Sequence, residues 1–194
     1  MPKLTTELLV AAYASGVFPM AVNPRGEIGW FSPDPRALIP LDDRFHVPHG
    51  LKRTLKRAAF TMTVDQDFEA VIRACASSHG STWISPEIMR AYCELHRRGF
   101  AHSVEARLDG DLAGGLYGVH LGGAFFGESM FHRVTDASKV ALIALVERLR
   151  ARKFLLLDTQ WVTPHLARFG TLEVPRREYL KLLEQAVQQP CSFD

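Results

Sequence analysis

Asp158 and Gln160 stand two residues apart at the end of "LLLDTQ", directly after Leu155, Leu156 and Leu157. The leucines read as the start of a strand buried on both faces. Side chains alternate along a strand, so this spacing places the carboxylate and the amide on one side. Strand ends in open α/β sheets commonly border ligand sites. A glutamine amide is not basic and cannot act as a conventional general base. Polarised by a hydrogen bond from its amide to Asp158, it would orient an amine and help relay its proton. The plainer reading is a polar pair tying strand to helix. A second carboxylate, Glu128, follows the apolar run of "AFFGESMF". It is either an edge or salt-bridge residue, or a carboxylate aimed into a cleft beside Asp158.

Other chemistries find less support. Cys75, Cys93 and Cys191 are far apart and form no C-x-x-C pair, which points to reduced thiols and away from a zinc site. His46 and His49 are three apart, but the intervening Val-Pro breaks a helix. No Ser-His-Asp or Cys-His spacing stands out. Lys52, Arg53, Lys56 and Arg57 recur along one side of a predicted helix. They are a solvated face, or a phosphate grip if a nucleic acid is otherwise implied. "GGLYG" at 114–118 signals a bulge or a ligand lying close against backbone.

The positioning elements follow from pattern. The 194 residues, 47% hydrophobic and 23% charged with net charge +2, suit one ordinary globular domain plus a small appendage. That balance gives no general prediction of nucleic-acid binding. No segment approaches the ~20 apolar residues that span a bilayer. Residues 4–15 read as an amphipathic helix ended by Gly16 rather than as a signal peptide, and 16–41 as irregular structure dense in Pro, Gly and aromatics. Helices are predicted over 49–60, 67–76 and 85–99, with a short strand "TMTVD" between the first two. From 100 the chain reads as a hairpin, a third strand, and a long helix that is apolar all round from Val140 to Val146. The "LLLDTQ" strand, a short helix, and a last strand and helix complete it. The order β-β-β-α-β-α-β-α implies an α+β fold, a mixed sheet with helices on its faces, like that of GCN5-related acyltransferases.

An acyl-CoA enzyme of that type has a glycine-rich turn at the start of its long helix, where backbone N–H groups hold a pyrophosphate. Here the stretch is "HRVTDASK", without glycine and with Asp136 at the helix start. A carboxylate there repels a pyrophosphate, so the expected acyl donor is not coenzyme A.

Taken together, "GVFPM", "WFSPDPRALI", "TWISPEIMRAYCELH", "AHSVEARLDGDLAGGLYGV", "FFGESMF", "DASKVAL", "LLDTQ" and "VPRREYL" occur in an order and spacing that resemble the leucyl/phenylalanyl-tRNA–protein transferase family, from about Leu4 to Leu183. The resemblance implies an enzyme, an aminoacyltransferase. It would move Leu or Phe, and Met less well, from aminoacyl-tRNA to the α-amine of proteins with N-terminal Arg or Lys. The product is a degradation signal of the N-degron pathway. It implies a small N-terminal domain, here 1–46 and truncated, before an acyltransferase-like catalytic domain, 47–194. A cytoplasmic monomer without metal or cofactor is expected.

Carried over by motif, Asp158 and Gln160 are the catalytic pair. Glu128, Trp83, Tyr13 and Ser129 hold the 3′-terminal adenosine and the aminoacyl ester. Leu116, Phe125, Met130, Leu157 and Thr159 line the side-chain pocket. Lys52, Arg53, Lys56 and Arg57 become candidates for tRNA phosphates. Acidic groups near the cleft, Glu128 and Asp158, would also attract a cationic acceptor. Met20, Thr159 and Thr163 depart from the family's usual residues. Two other readings stay open: a related aminoacyl-tRNA-dependent transferase with another acceptor, and a non-catalytic tRNA-binding module.

Overall fold

The computed structural model describes residues 4–56, 59–78 and 82–194. Helix α1 (Thr6–Ala14) starts where the Thr5 hydroxyl accepts the Leu8 N–H at 3.2 Å, and the chain leaves it through Gly16 at φ +74°. The stretch read as irregular is not so. It holds a two-stranded antiparallel hairpin, β1 (Phe18–Ala21) with β2 (Ile28–Phe31), and then β3 (Arg36–Ile39). Most of the prolines and glycines fall in the connections, though Pro19 lies in β1 and Gly29 in β2; the hairpin pairs locally, while β3 is fixed by partners distant in sequence.

Helix α2 (His49–Lys56), strand β4 (Thr61–Val64) and helices α3 (Phe68–Ser77) and α4 (Pro86–Arg97) follow. Ser85 caps α4 by accepting the Ile88 N–H, and Pro86 occupies its first turn. Next come β5 (Ala101–Leu108), β6 (Asp111–Leu121), β7 (Ala124–His132), α5 (Ala137–Ala151) and β8 (Leu156–Gln160). The short α6 (Pro164–Ala167), β9 (Leu172–Val174) and α7 (Arg176–Gln188) end the chain.

Seven strands form one mixed sheet in the order β4-β5-β6-β7-β8-β3-β9. Every neighbouring pair is antiparallel except β7 and β8, which run parallel with α5 as their crossover. Strand β3, from the N-terminal part of the chain, is thus inserted between β8 and β9.

Alternation along the strands sorts the core onto two faces. Tyr117, Phe126 and Leu156 join the cluster under α1, α3, α4 and α7. Their neighbours Leu116, Phe125 and Leu157 join the cluster under α5. Helix α5 is buried as its all-round apolar run predicts, with Val140, Ala141, Leu142, Ile143, Leu145 and Val146 inside. Each fully buried Val, Leu or Ile contributes about 1.5–3 kcal/mol, so this helix anchors its face of the sheet. Leu155 departs from the expected buried run. It is 55% exposed, and β8 begins only at Leu156.

Candidate active site

Strands β7 and β8 pair over only three positions, Ala124 with Leu156, Phe125 with Leu157 and Phe126 with Asp158. Beyond that they part, and each carries a bulge at the point of divergence. Tyr117 lies opposite Ser129 but Gly118 opposite Gly127, so Glu128 is the extra residue of β7. Leu38 lies opposite Asp158 but Ala37 opposite Gln160, so Thr159 is the extra residue of β8. A bulge re-aims the side chains around it. Gly118 permits the one in β7, because a Cβ there would collide with the Phe126 carbonyl and the Phe125 ring.

The fork opens into a cavity of about 540 Å³. Its floor is apolar, built by Leu116, Met130, Leu142, Leu145 and Leu157. Glu128, Ser129, Thr159 and Gln160 supply polar groups where the strands part, and Phe18, Trp83 and Trp161 add aromatic walls.

Asp158 does not share this cavity. Its side chain is fully buried on the α7 side of the sheet and is saturated with donors. Oδ1 accepts Arg36 Nε–H at 2.9 Å and the Gln160 backbone N–H at 2.9 Å. Oδ2 accepts Arg36 Nη2–H at 2.7 Å and the Tyr179 hydroxyl at 2.6 Å. Arg36 is itself fully buried. It donates Nη1–H to the Gly16 carbonyl at 3.0 Å, and its guanidinium lies over the rings of Phe18 and Tyr179. Burial lowers the Arg36 pKa, but its bonds to Asp158 outweigh that and leave it raised. The pair is a charge-assisted bidentate clamp.

Gln160 reaches the cavity by a different route from the one its spacing suggests. Its φ is +61°, and the Trp161 N–H donates to the Thr159 carbonyl at 2.7 Å, which makes a γ-turn about Gln160. Such a turn is strained for a side-chain-bearing residue, and strain of this kind collects at functional sites. Its Nε2–H donates not to Asp158 but to Glu128 Oε1, at 3.3 Å. The expected amide-to-Asp158 bond is therefore replaced by a backbone bond, because the turn breaks the strand's alternation.

Glu128 is half-buried and lines the cavity. Burial pushes its pKa up to about 8, against the lowering effect of the Tyr13 hydroxyl, with the charge of Asp158 adding to the rise. Tyr92 donates to its Oε2 at 3.4 Å, and the Tyr13 and Tyr92 hydroxyls are hydrogen-bonded to each other.

The structure brings Gln160, Glu128, Trp83, Ser129, Leu116, Met130, Leu157 and Thr159 to one cavity, as the sequence groups them. It leaves out Asp158, Tyr13 and Phe125. Tyr13 is buried against Phe126, with ring centroids 4.9 Å apart, and does not line the cavity; its hydroxyl meets Tyr92 and Glu128 from behind. Phe125 sits where β7 and β8 are still paired, below the fork, stacked on Phe193. Nor does Asp158 offer free charge to a cationic acceptor, since Arg36 neutralises it. Lys52, Arg53 and Lys56 are exposed on α2. Arg57 lies outside the described residues. A second, smaller cavity adjoins the start of α2, lined by Gly50, Lys139 and Arg168 among others, and His165 borders both cavities.

Sequence reasoning missed Arg36, Tyr92, Tyr179 and Trp161. Arg36 and Tyr179 lie within quoted motifs, "WFSPDPRALI" and "VPRREYL", but their partner is 122 and 21 residues away in the chain.

A fork between parallel strands, an apolar cavity and a half-buried carboxyl–amide pair where the strands part suit an enzyme that transfers an apolar acyl group. Comparison with known proteins fixes the class. The family described as "Leucyl/phenylalanyl-tRNA protein transferase" matches residues 38–184, and the N-terminal domain of the same family matches residues 3–34. A leucyl/phenylalanyl-tRNA–protein transferase of Akkermansia muciniphila is 59% identical over 189 residues, covering 96% of this chain and 98% of that one. One from Salinibacter ruber is 57% identical over 184 residues, covering 95% and 80%. A solved ribosomal-protein-alanine N-acetyltransferase from Brucella melitensis overlays with a TM-score of 0.40 at 18% identity, covering 51% of this chain and 77% of that one.

The protein is thus an aminoacyltransferase that moves an aminoacyl group from tRNA to protein. The chain belongs to the leucyl/phenylalanyl-tRNA–protein transferase family. No helix among the described residues is long and apolar enough to cross a membrane.

Proposed function

We propose that the chain transfers Leu or Phe, and Met less well, from aminoacyl-tRNA to the α-amine of proteins beginning with Arg or Lys. The product is a degradation signal of the N-degron pathway, made by a cytoplasmic monomer that uses no metal or coenzyme. The observation that carries this reading is the cavity at the fork, with an apolar floor and the Glu128–Gln160 pair where the strands part. Such a floor favours large apolar side chains, gains little from small ones and rejects charge.

Glu128, Ser129 and Trp83 hold the 3′-terminal adenosine and the ester. Leu116, Met130, Leu157 and Thr159 enclose the transferred side chain. Lys52, Arg53 and Lys56 meet acceptor-stem phosphates, with His165 and Lys139 along the way from α2 to the cavity. The ester is already activated, so holding the amine against it supplies much of the rate.

The test mixes the protein with Leu-tRNA carrying labelled leucine and two peptides, one starting with Arg and one with Asp. Label on the Arg peptide alone, lost in Gln160→Ala, is the expected result. Label on the Asp peptide alone overturns the acceptor assignment. No label on either, with tRNA still bound, favours a binding module.

A further inference from the structure

We propose that Glu128 is the proton acceptor of the transfer step, and that Asp158 acts only as a positioning residue, through Gln160. The inference rests on the reading of the cavity as an aminoacyl-ester site. Of the two acidic residues at the fork, only Glu128 lines the cavity. Both oxygens of Asp158 are occupied by Arg36, Tyr179 and the Gln160 N–H, on the far side of β8. To take a proton, Asp158 would have to give up a buried ion pair and a hydroxyl donor, and no lone pair faces the reacting centre. What it does hold is the Gln160 backbone, in a γ-turn that glutamine would not adopt unaided. That turn delivers the Gln160 amide to Glu128.

The step balances around one proton. The neutral amine attacks the ester carbon and forms the C–N bond, which leaves an extra proton on nitrogen in the tetrahedral intermediate. The Glu128 carboxylate takes that proton. As the bond from carbon to the ribose oxygen breaks, Glu128 returns it to the departing oxygen, giving the amide and a free ribose hydroxyl.

The groups facing Glu128 come from every element around it. They are Tyr13 of α1, Tyr92 of α4, Tyr117 of β6, Arg36 of β3, Asp158 of β8 and Tyr179 of α7. Burial dominates over these, so Glu128 changes charge near pH 8, close to the working range of a base.

The experiment measures kcat against pH with Leu-tRNA and hydroxylamine, a nucleophile neutral across the range, after subtraction of the spontaneous reaction. The unmodified protein should show a rate that rises with pH to a plateau. Glu128→Gln should lose about 10²-fold or more of the plateau and all of the rise. Asp158→Asn should keep the rise at a lower plateau and move it to lower pH, since one negative charge beside Glu128 is gone. Tyr179→Phe, which deprives Asp158 of a donor with less risk to folding, should leave the rise in place.

An unchanged pH profile in Glu128→Gln overturns the proposal. So does a rise that shifts upward in Tyr179→Phe, because that is the mark of Asp158 as the base. No transfer by the unmodified protein to hydroxylamine or to the Arg peptide overturns both this proposal and the reading beneath it.

Discussion

Two acidic residues, Asp158 fully buried and Glu128 half-buried, are close enough to feel each other's charge and have opposite surroundings. Asp158 is matched by a guanidinium and Glu128 is not. The match makes Arg36 and Asp158 interdependent. Removing one partner strands the other as an uncompensated buried charge, which costs about 3–5 kcal/mol. Urea denaturation should therefore show Arg36→Met and Asp158→Leu each destabilised by about that much, and the double variant less destabilised than the sum.

Glu128 gives the opposite dependence from an ordinary ion-paired carboxylate. Its folded-state pKa, about 8, lies above the ordinary value of 4.5, so the folded state holds the proton more tightly. Its contribution to stability is complete below pH 4.5 and falls as pH rises towards 8. Unfolding curves at pH 5, 7 and 9 should show the unmodified protein losing ground to Glu128→Gln as pH rises.

At the scale of elements, the site is made by irregularities in otherwise regular strands. The bulge at Glu128 exists because Gly118 opposite leaves room for it. A Gly118→Val variant should be destabilised by about 1–3 kcal/mol through overpacking, and should lose transfer beyond what its reduced folded fraction explains. Thermal melts beside single-turnover transfer separate the two effects.

The regular parts were legible in the sequence. Alternation gave the β5–β6 hairpin, the all-round apolar run gave α5, and a strand–helix–strand order made β7 and β8 neighbours. The irregular parts were not. Two-residue spacing implies that Asp158 and Gln160 share a side, and the bulge at Thr159 together with the positive φ at Gln160 undoes that. No local rule places a glutamine there. Strands β1, β2 and β3 were hidden because Pro and Gly dominate the stretch, whereas mutual pairing decides β1 and β2, and pairing with the remote β8 and β9 decides β3. Arg36 was read as one letter of a motif because its partner is remote.

At the scale of the whole molecule, net charge +2 gives little long-range attraction to a polyanion, so local cations must do the work. Lys52, Arg53 and Lys56 are exposed on α2, whose start borders the smaller cavity. If each meets one phosphate, the logarithm of tRNA affinity should fall with the logarithm of salt, and each charge removed should lower that slope by about one. Filter binding of Lys52→Gln and Lys56→Gln across a salt series measures it.

The clamp on Asp158 has a consequence for how the molecule comes into being. Gly16, Arg36, Asp158 and Tyr179 meet at one point, although the first and last are separated by most of the chain. Closing so long a loop carries an entropic cost that only the finished core offsets. Helices α3 and α4 and the β5–β6–β7 meander can organise from nearby residues. The γ-turn that aims Gln160 has to wait until both ends of the chain have docked. During refolding, secondary structure should return first and transfer activity last. Among partly opened forms the catalytic apparatus should be the first thing lost, so the enzyme is competent only when it is whole.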